Sequence, residues 1–565
     1  MHSNTSRRTF VKGLAAGGLL GGLGLWRTPV WAVTSPGEPQ VLAGTDFDLL
    51  IGETPVNITG NPRTAMTING GIPGPLLRWR EGDTVTLRVK NKLNVDTSIH
   101  WHGILLPANM DGVPGLSFHG IEPDGMYVYQ FKVRQNGTYW YHSHSGLQEQ
   151  SGVYGPLVID AKEPEPFQYD RDYVVMLTDW TDEDAVDLMK TLKKQSDYYN
   201  YNKPTVGDFI HDVSEKGWGS TVADRKMWAE MKMNPTDLAD VSGATYTYLM
   251  NGQAPNSNWT GVFRPGEKLR LRFINGSAMT YFDVRIPGLK MTVVAADGLH
   301  VKPVSVDEFR IAVAETYDVI VEPTEAAYTL FAQSMDRTGF ARGTLAAKAG
   351  LSAPVPPLDP RPLVTMDDMG MGGMDHGSMA GMDHSAMAMP GMQSHPETEK
   401  DNPLVDMQAM TTTPKLDDPG LGLRNNGRRV LTYSDLRSTF EDPDGRDPSR
   451  TIELHLTGHM EKFAWSFNGV KFSDAEPVRL KYGERVRVVL VNDTMMTHPI
   501  HLHGMWSDLE DENGEFMVRK HTIDMPPGSR RSYRVTADAL GRWAYHCHLL
   551  YHMEMGMFRE VRVEE

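Results

Sequence analysis

Apolar and polar residues alternate with a period of two in three well-separated stretches of the chain. Each stretch begins with a turn glycine and an acidic residue, continues with alternating apolar positions, and contains an asparagine near its end. The stretches read REGDTVTLRVKNKL at 80–93, RPGEKLRLRFINGS at 264–277 and KYGERVRVVLVNDT at 481–494. Because successive side chains of a strand point to opposite faces of its sheet, this alternation predicts three half-buried β-strands.

An Asn-Gly pair precedes each of these strands, at 69–70, 251–252 and 468–469. Asn-Gly favours the two-residue turns that connect neighbouring antiparallel strands. The shared order of hairpin turn, glycine and alternating strand indicates three copies of one β-domain. The middle copy also carries an insertion at about 185–240 of helical character, in which Met227 and Met231 lie four residues apart. Most helical faces of this kind are buried.

The outer two copies differ from the middle copy in their histidines. The first contains HWHG at 100–103 and YHSH at 141–144, and the third contains HPIHLHG at 498–504 and YHCH at 545–548. Residues i and i+2 of a strand share a face, so each His-x-His pair directs two imidazoles into one space. One such pair alone is better explained by surface or hydrogen-bonded histidines. Ten of the 20 histidines lie in these clusters, counting His552, and together they predict a metal centre.

The only cysteine, Cys547, lies between the two histidines of the HCH sequence. His498, Cys547 and His552, with Met557 downstream, make a set of two imidazoles, one thiolate and one thioether, which is the ligand set of a blue copper site. Zinc favours a closed tetrahedral set and gains little from a methionine. Since neighbours in a strand face opposite ways, Cys547 serves one metal site and the two adjacent histidines serve a second site behind it.

The composition and the first residues of the chain indicate which partners the protein can bind and where in the cell it is found. The 565 residues carry a net charge of −16, which argues against nucleic acid or an anionic membrane as the partner. Residues 1–32 have the order of a signal peptide, and SRRTFVK at 6–12 resembles the twin-arginine pattern. That resemblance implies a periplasmic protein delivered by the export machinery for folded proteins. No later stretch approaches the roughly 18 uncharged apolar residues of a membrane span, so we expect no stable membrane insertion.

The four histidine clusters resemble the four copper motifs of multicopper oxidases, and the repeats extend this resemblance over nearly the whole chain. It implies an all-β protein of three cupredoxin-like Greek-key β-sandwich domains. It also implies four bound copper ions: one of type 1, one of type 2 and two of type 3. The implied type 1 ligands are His498, Cys547, His552 and Met557. The implied type 2 ligands are His100 and His501, and the type 3 ligands are His102, His142 and His548 on one copper and His144, His503 and His546 on the other.

We divide the chain accordingly. The predicted segments are a twin-arginine signal peptide at 1–32, cupredoxin domains at 33–165, 166–350 and 428–565, and a methionine- and histidine-rich linker at 351–427. The middle domain carries the helical insertion and no copper motifs.

The resemblance also implies the reaction. Reducing substrates give single electrons to type 1 copper, Cys547 passes them on, and dioxygen takes four electrons at the other three coppers to become water. We assign proton delivery to Asp111, in the MDGVPG turn after HWHG, although an Asp-Gly turn explains this residue equally well. Glu554, two residues beyond His552, is a second candidate, with a solvated charge as the simpler interpretation.

A methionine-rich segment of low complexity separates the second and third copies. Its small, flexible spacers cannot build a packed core, so we expect a disordered linker. Thioethers favour copper(I), and imidazole accepts either oxidation state. We therefore expect copper(I) binding by Met366, Met369, Met371, Met374, His376, Met379, Met382, His384, Met387, Met389, Met392 and His395. The repeated MDH units resemble those of the copper-resistance branch of the family, the CopA and PcoA type.

A second feature favours the same substrate. Met505 and the acidic run DLEDE at 508–512 closely follow the HPIHLHG cluster. We expect them to form an anionic, thioether-bearing approach to the type 1 site, which suits a soft cation better than a neutral phenol.

Three functions stay open. The leading one is a copper(I) oxidase that provides periplasmic copper tolerance, with dioxygen as the electron acceptor. The second is a laccase-like oxidase of phenols or aromatic amines, which needs the same four clusters and a small aromatic reductant. The third is a copper-sequestering protein that works mainly through its methionine-rich segment.

Overall fold

Six β-sheets, two in each third of the chain, make up the architecture of the protein. The computed structural model describes residues 40–372 and 392–565. The predicted signal peptide and residues 373–391 of the methionine-rich segment lie outside the described ranges. Within those ranges, no helix combines the length and the apolar character needed to cross a membrane. The prediction of an all-β fold with a small helical insertion is confirmed.

The first domain is a sandwich of nine strands. They are β1 (Val41–Ala43), β2 (Asp46–Val56), β3 (Arg63–Ile68), β4 (Leu76–Arg80), β5 (Thr84–Asn91), β6 (His100–His102), β7 (Met126–Lys132), β8 (Gly137–His142) and β9 (Tyr154–Asp160). One sheet has the order β1-β4-β9-β8-β6 and the other the order β3-β2-β5-β7. Trp79, Trp101 and Trp140 are among the large side chains buried in this domain.

The second domain has eleven strands. They are β10 (Arg171–Trp180), β11 (Thr247–Met250), β12 (Trp259–Val262), β13 (Leu269–Asn275), β14 (Phe282–Arg285), β15 (Met291–Ala296), β16 (Leu299–Val306), β17 (Glu308–Ile311), β18 (Thr316–Val321), β19 (Ala327–Ser334) and β20 (Phe340–Ala346). The two sheets have the orders β11-β10-β13-β18-β15-β16 and β12-β20-β19-β14-β17.

The third domain repeats this plan. Its strands are β21 (Arg450–His459), β22 (Ala464–Phe467), β23 (Val478–Lys481), β24 (Arg485–Asn492), β25 (His498–Leu502), β26 (Ser507–Glu510), β27 (Phe516–Lys520), β28 (Thr522–Met525), β29 (Arg530–Thr536), β30 (Gly541–Cys547) and β31 (Phe558–Glu564). The sheet orders are β22-β21-β24-β29-β26-β27 and β23-β31-β30-β25-β28.

The three repeated strands, β5, β13 and β24, occupy equivalent places in the three domains. Each pairs in parallel with the first long strand of its domain and antiparallel with a later one. The asparagine that closes each strand is buried, and its side-chain amide donates to two main-chain carbonyls. The carbonyls are those of Val95 and Ile121 for Asn91, Thr280 and Ile311 for Asn275, and Met496 and Met525 for Asn492. This side chain therefore fixes the loop after the strand, and in the third domain that loop leads to His498.

The Asn-Gly pairs form the predicted hairpin turns. The asparagines at 69, 251 and 468 have φ of 52°, 51° and 50°, and the glycines that follow have φ of 78°, 75° and 70°. Positive φ at both central residues is what a type I′ turn requires. In each copy the turn is closed by an antiparallel bridge between the two flanking residues.

The insertion of the second domain forms three helices, α1 (Ala185–Lys194), α2 (Val206–Lys216) and α3 (Trp218–Glu230). Asp184 caps α1 by accepting from two backbone amides, and Thr205 and Asp208 form a reciprocal capping box at α2. Trp228 is buried, and Met227 and Met231 are half-buried against the core, so the methionine pair faces the protein as expected.

The linker between the second and third domains has almost no regular structure in its described parts, apart from a 3₁₀ turn at Glu397–Glu399. Its flanks are nevertheless packed. Met369 and Met407 are buried, and the backbone amides of Met410 and Thr411 donate to the carbonyl of Gly370. The expected disorder therefore does not hold for these flanks, because apolar residues on either side of 373–391 pack against the domains and against each other.

The first and third domains place the histidine motifs opposite one another. β6 pairs with β8 in the first domain so that His100 faces His142, and β25 pairs with β30 in the third so that His501 faces His546. A short helix, α4 (Leu550–Glu554), follows β30 and carries His552.

Candidate metal centres

Three of the four predicted type 1 residues, His498, Cys547 and His552, converge on one point inside the third domain. Cys547 Sγ lies 3.5 Å from His498 Nδ1 and 3.9 Å from His552 Nδ1, and the two nitrogens are 3.1 Å apart. All three side chains are buried, and so is Met557, whose carbonyl accepts from the amide of Cys547. We call these four residues the cysteine cluster.

The outer nitrogens of both imidazoles are held by neighbours. Thr494 Oγ1 lies 2.7 Å from His498 Nε2, and the carboxylate of Asp240 accepts from His552 Nε2 at 2.7 Å. Trp465 stacks on the His552 ring at a centroid distance of 3.9 Å. These contacts fix Nδ1 of each ring as the atom that faces Cys547, which is the usual role of the residues behind a metal ligand.

Asp240 is a functional candidate that the sequence did not indicate. It lies at the end of the helical insertion, in a different domain from His552, and its second carboxylate oxygen, Oδ1, is buried without a hydrogen-bond partner among the described residues. A small cavity beside it is lined by three methionines and a second carboxylate, those of Met279, Met335, Met496 and Asp336.

The strand geometry separates Cys547 from its two neighbours as expected. On β30 the cysteine joins the cysteine cluster, while the histidines on either side face a second set of buried imidazoles. We call this second set the eight-histidine cluster. Its members are His100, His102, His142, His144, His501, His503, His546 and His548.

Ligand nitrogens in the eight-histidine cluster approach one another in threes. The groups within 4.8 Å include His100 with His501 and His503, His102 with His142 and His548, and His144 with His503 and His546. The second and third groups are the sets predicted for the type 3 coppers, and the first contains the predicted type 2 pair. The two domains thus bring together all eight histidines that the sequence assigned to three coppers.

Most of these imidazoles have an inward nitrogen with nothing to bind. In the described part of the chain, Nε2 of six of them is buried without a hydrogen-bond partner: His100, His102, His142, His144, His501 and His548. The other two, His503 and His546, point Nε2 at each other over 3.0 Å. Burial and neighbouring imidazoles lower the pKa of His102, His142, His144, His501, His503, His546 and His548, that of His546 to about 3. These rings are therefore neutral and offer lone pairs, which metal ions need.

Asp111 lies against two members of this cluster. Its Oδ2 lies 2.8 Å from His503 Nδ1, its backbone carbonyl lies 2.8 Å from His100 Nδ1, and its buried Oδ1 lies 3.3 Å from the same His100 nitrogen. The turn interpretation holds as well, because Gly112 has φ of 83° and an added Cβ would meet the Ile99 carbonyl at 1.8 Å. The glycine makes the turn, and the turn presents the aspartate to the cluster.

Glu149 is a second buried carboxylate that the sequence analysis missed. Its Oε2 lies 2.6 Å from His142 Nδ1, and burial raises the pKa of its carboxyl well above the usual range. Its Oε1 has no hydrogen-bond partner among the described residues. The only sequence signal is its place five residues after the HSH motif, in SGLQEQ.

His521 is a further buried imidazole beside the eight-histidine cluster. Its ring centroid lies 4.7 Å from that of His102, and its backbone carbonyl lies 2.6 Å from His501 Nδ1. It occurs alone in the sequence KHT, without a second histidine at i+2, so no spacing pointed to it.

The other predicted residues lie in varied surroundings. Glu554 is exposed at the end of α4, unlike Asp111 and Glu149. Met505 is buried, Met369 is buried in the core, Met366 and Met371 are half-buried, and Met392 is exposed. His395 is half-buried beside two carboxylates, described below. The predictions for Met374, His376, Met379, Met382, His384, Met387 and Met389 lie outside the described residues.

The acidic approach predicted at 508–512 is wrong in its main members. Asp508 is buried and bonded to Arg519, and Glu510 is buried and bonded to Arg487 and Arg534. These arginines lie on neighbouring strands of the same sheet, so the charges are neutralised within the domain rather than offered to a cation.

The donor atoms of both clusters fit copper. The cysteine cluster brings together two imidazole nitrogens and one thiol sulfur, and Met557, the fourth predicted ligand, is buried, a set of residue types typical of blue copper. Burial raises the pKa of the Cys547 thiol well above its usual value, so a bound cation is required to replace the proton. The eight-histidine cluster is a group of imidazoles whose unpartnered nitrogens a cation would satisfy.

Comparison with known proteins agrees with this geometry. Sequence profiles of multicopper oxidases match three stretches, residues 51–164, 171–349 and 445–565. The chain is 80% identical to a copper resistance protein A homolog of Pseudomonas syringae pv. tomato, over 100% of both chains. It is 74% identical to copper resistance protein A of Escherichia coli, over 99% of both. Among solved structures its fold is similar to a laccase from Botrytis aclada, with a TM-score of 0.61 and 21% identity, covering 94% of this chain and 88% of the laccase.

Proposed function

The chain belongs to the multicopper oxidase family, and on that premise we propose that its reducing substrate is copper(I) and its role is copper tolerance in the periplasm. The enzyme is an oxidoreductase with four copper ions as its cofactor and dioxygen as its electron acceptor. The two relatives named copper resistance protein A support the proposed role, since each is matched over its whole length. The RRTF pattern at the start of the chain supports export by the twin-arginine route.

One observation carries the choice of substrate. The cavity beside the cysteine cluster is lined by Met279, Met335 and Met496 together with Asp240 and Asp336. Thioethers are soft donors that favour copper(I), and a buried carboxylate attracts a cation. Asp240 also touches His552 Nε2 directly, so a cation bound there lies one hydrogen bond from a predicted type 1 ligand.

We assign the four coppers to the two clusters as the resemblance implies. The cysteine cluster would hold type 1 copper, His100 and His501 type 2 copper, and the remaining six histidines the type 3 pair. Bound copper supplies the redox chemistry: one-electron acceptance at the cysteine cluster and four-electron delivery to dioxygen at the eight-histidine cluster.

The protein provides the path between the clusters. Cys547 is covalently continuous with His546 and His548 through two peptide units of β30, so no solvent gap separates the two clusters. His546 and Cys547 are almost completely buried, which keeps water out of this connection. Burial on both sides of the strand therefore favours electron transfer along the chain.

Asp111 and Glu149 are placed to hold protons at the eight-histidine cluster. Glu149 Oε2 faces His142 Nδ1, and burial raises the pKa of the carboxyl well above the usual range, which favours its protonated form. Asp111 Oδ2 accepts from His503 Nδ1, while Oδ1 lies 3.3 Å from His100 Nδ1, makes no hydrogen bond among the described residues and can receive a proton and pass it on. Reduction of dioxygen to water consumes protons, and these two carboxyls are the buried groups that can supply them.

Steady-state kinetics of the copper-loaded enzyme test the proposal. We expect kcat/KM for a copper(I) complex to exceed that for a phenol by at least about tenfold, with oxygen consumption that continues far beyond the number of bound copper ions. Preferential turnover of the phenol would instead favour the laccase-like function. Copper(I) uptake without sustained oxygen consumption would favour the sequestering function.

A further inference from the structure

Four ionisable side chains outside both copper clusters meet in the third domain where the linker rejoins it. His395 Nδ1 lies 3.2 Å from Asp493 Oδ2 and 3.5 Å from Glu399 Oε2. His455 Nδ1 lies 2.6 Å from the same Asp493 oxygen and 3.7 Å from Glu399 Oε1. The side chains of Asp493 and Glu399 are fully buried, that of His455 is 1% exposed and that of His395 is 16% exposed.

The outer nitrogens of the two rings are already engaged. His395 Nε2 lies 3.1 Å from the carbonyl of Ala409, and His455 Nε2 lies 3.2 Å from the carboxylate of Glu453. An imidazole that donates Nε2–H outward presents the lone pair of Nδ1 to the two carboxylates inside. Lone pairs and carboxylates repel one another, so something positive is needed between them.

The negative charge of the two carboxylates can be balanced in two ways. Two buried carboxylates are neutralised either by two imidazolium ions or by one divalent cation with two neutral imidazoles. The first places two like charges in rings whose centroids are 5.2 Å apart. It also leaves Glu399 Oε1, which has no hydrogen-bond partner among the described residues, unused.

We propose that His395, Glu399, His455 and Asp493 form a site for one divalent transition-metal ion, distinct from the four copper sites of the enzyme. The donor set is two imidazole nitrogens and two carboxylate oxygens, which suits copper(II) or zinc(II) and not the softer copper(I). In a tetrahedral site with bonds of about 2.0–2.1 Å the ligand atoms lie about 3.3–3.4 Å apart. The observed separations of 2.6 to 3.7 Å surround that value.

The surroundings hold the ligands in place for such an ion. Gln408 Nε2 donates to Glu399 Oε2 at 2.9 Å, and the amide of Ala409 donates to Asp493 Oδ1 at 2.8 Å. The carbonyl of the same Ala409 faces His395. A short piece of the linker therefore orients three of the four ligands, and the partial exposure of His395 gives an ion a way in.

The site goes beyond the proposed oxidase function and is independent of it. Among divalent first-row ions an N and O donor set binds copper(II) most tightly. The order of affinity therefore makes copper(II), the expected product of copper(I) oxidation, the preferred occupant and zinc(II) the second.

Cobalt(II) and zinc(II) titrations of the enzyme loaded with four copper ions per chain, and no more, test the proposal in air. We expect one added cobalt(II) ion per chain with the intense visible absorption of tetrahedral cobalt, displaced by zinc(II) and by copper(II). His455→Gln and Glu399→Gln should each weaken this binding at least tenfold. Glu399→Gln retains an oxygen that accepts the hydrogen bond from Gln408, so this variant should fold like the wild-type enzyme. Unchanged blue absorption would show that the third domain is intact.

His459→Gln is the matched control, because it removes another histidine of β21 that contacts a single carboxylate, Asp406. We expect it to bind cobalt(II) as the wild-type enzyme does. Equal cobalt(II) and zinc(II) binding in the wild-type enzyme and all three variants would overturn the proposal, since the ions would then lie elsewhere. Absence of any tetrahedral cobalt signal in the wild-type enzyme would also overturn the proposal. The four side chains would then be a buried cluster of ion pairs that binds no metal.

Discussion

Asp240 is expected to lower the type 1 reduction potential and to attract copper(I). Replacing it by asparagine separates these two effects. In the structure the Asp240 carboxylate lies 2.7 Å from His552 Nε2. Asparagine has the shape of aspartate and keeps an oxygen that can accept this hydrogen bond, but it removes one negative charge. A hydrogen bond to a charged acceptor contributes about 1.5–3 kcal/mol, against about 0.5–1.5 kcal/mol for a neutral one. The difference, about 1–2 kcal/mol, favours the more positive, oxidised form of a copper ion bound by His552.

For a one-electron couple about 1.4 kcal/mol corresponds to about 59 mV. Asp240→Asn should therefore raise the type 1 reduction potential by roughly 40–80 mV. A higher potential makes the site a stronger oxidant, so phenol oxidation should stay level or rise. Copper(I) oxidation should fall, with kcat/KM lower by about tenfold or more, because the cavity loses the carboxylate that attracts the cation.

The assay is redox titration of the blue absorption together with oxygen consumption for both donors. Asp237→Asn is the matched control: Asp237 is also buried, it lies three residues away, and burial raises the pKa of its carboxyl well above the usual range. We expect that variant to stay within about twofold of the wild-type enzyme. If Asp240→Asn left the potential unmoved, or lowered both activities equally, Asp240 would be a structural residue only.

The remaining predictions address the two clusters and the linker. Cys547→Ser should abolish both the blue absorption and turnover while the fold, followed by circular dichroism, survives; a variant that stays blue would contradict the type 1 assignment. His100→Ala or His501→Ala should spare the blue band and stop oxygen consumption, so a bleached band with intact trinuclear signals would refute the division of ligands. Glu149→Gln should lower kcat for both donors about a hundredfold with unchanged copper content, the scale of general acid catalysis, and a wild-type rate would remove Glu149 from proton delivery. Deleting residues 373–391, which leaves the packed flanks in place, should reduce copper(I) stoichiometry and slow copper(I) oxidation at low substrate concentration without affecting either spectrum; equal kinetics would make the segment a linker only.

The repeated domains were predictable because their signals are local. Alternation with period two, a turn glycine and an Asn-Gly hairpin all act within about 25 residues. The same applies to the copper motifs, since a His-x-His pair on a strand fixes the direction of both rings. The repeat is structural as well as a similarity of sequence, because Asn91, Asn275 and Asn492 make equivalent hydrogen bonds in the three domains.

The residues behind the ligands were not predictable in this way. Asp240 and His552 are 312 positions apart, and no spacing rule connects them. The expected acidic approach was wrong because Arg519 and Arg534, which pair with Asp508 and Glu510, lie 11 and 24 residues away in sequence and are brought close by strand pairing in the sheet. Met369 was expected to bind copper(I) from a disordered linker, whereas it is buried in the core.

The most direct test of copper(I) as the electron source is a stopped-flow titration of the oxidised enzyme without oxygen. Four equivalents of copper(I) should fully reduce the enzyme and bleach the blue absorption, and one equivalent of dioxygen should then restore it. Failure of copper(I) to bleach the band, under conditions in which a phenol does so, would contradict the central claim.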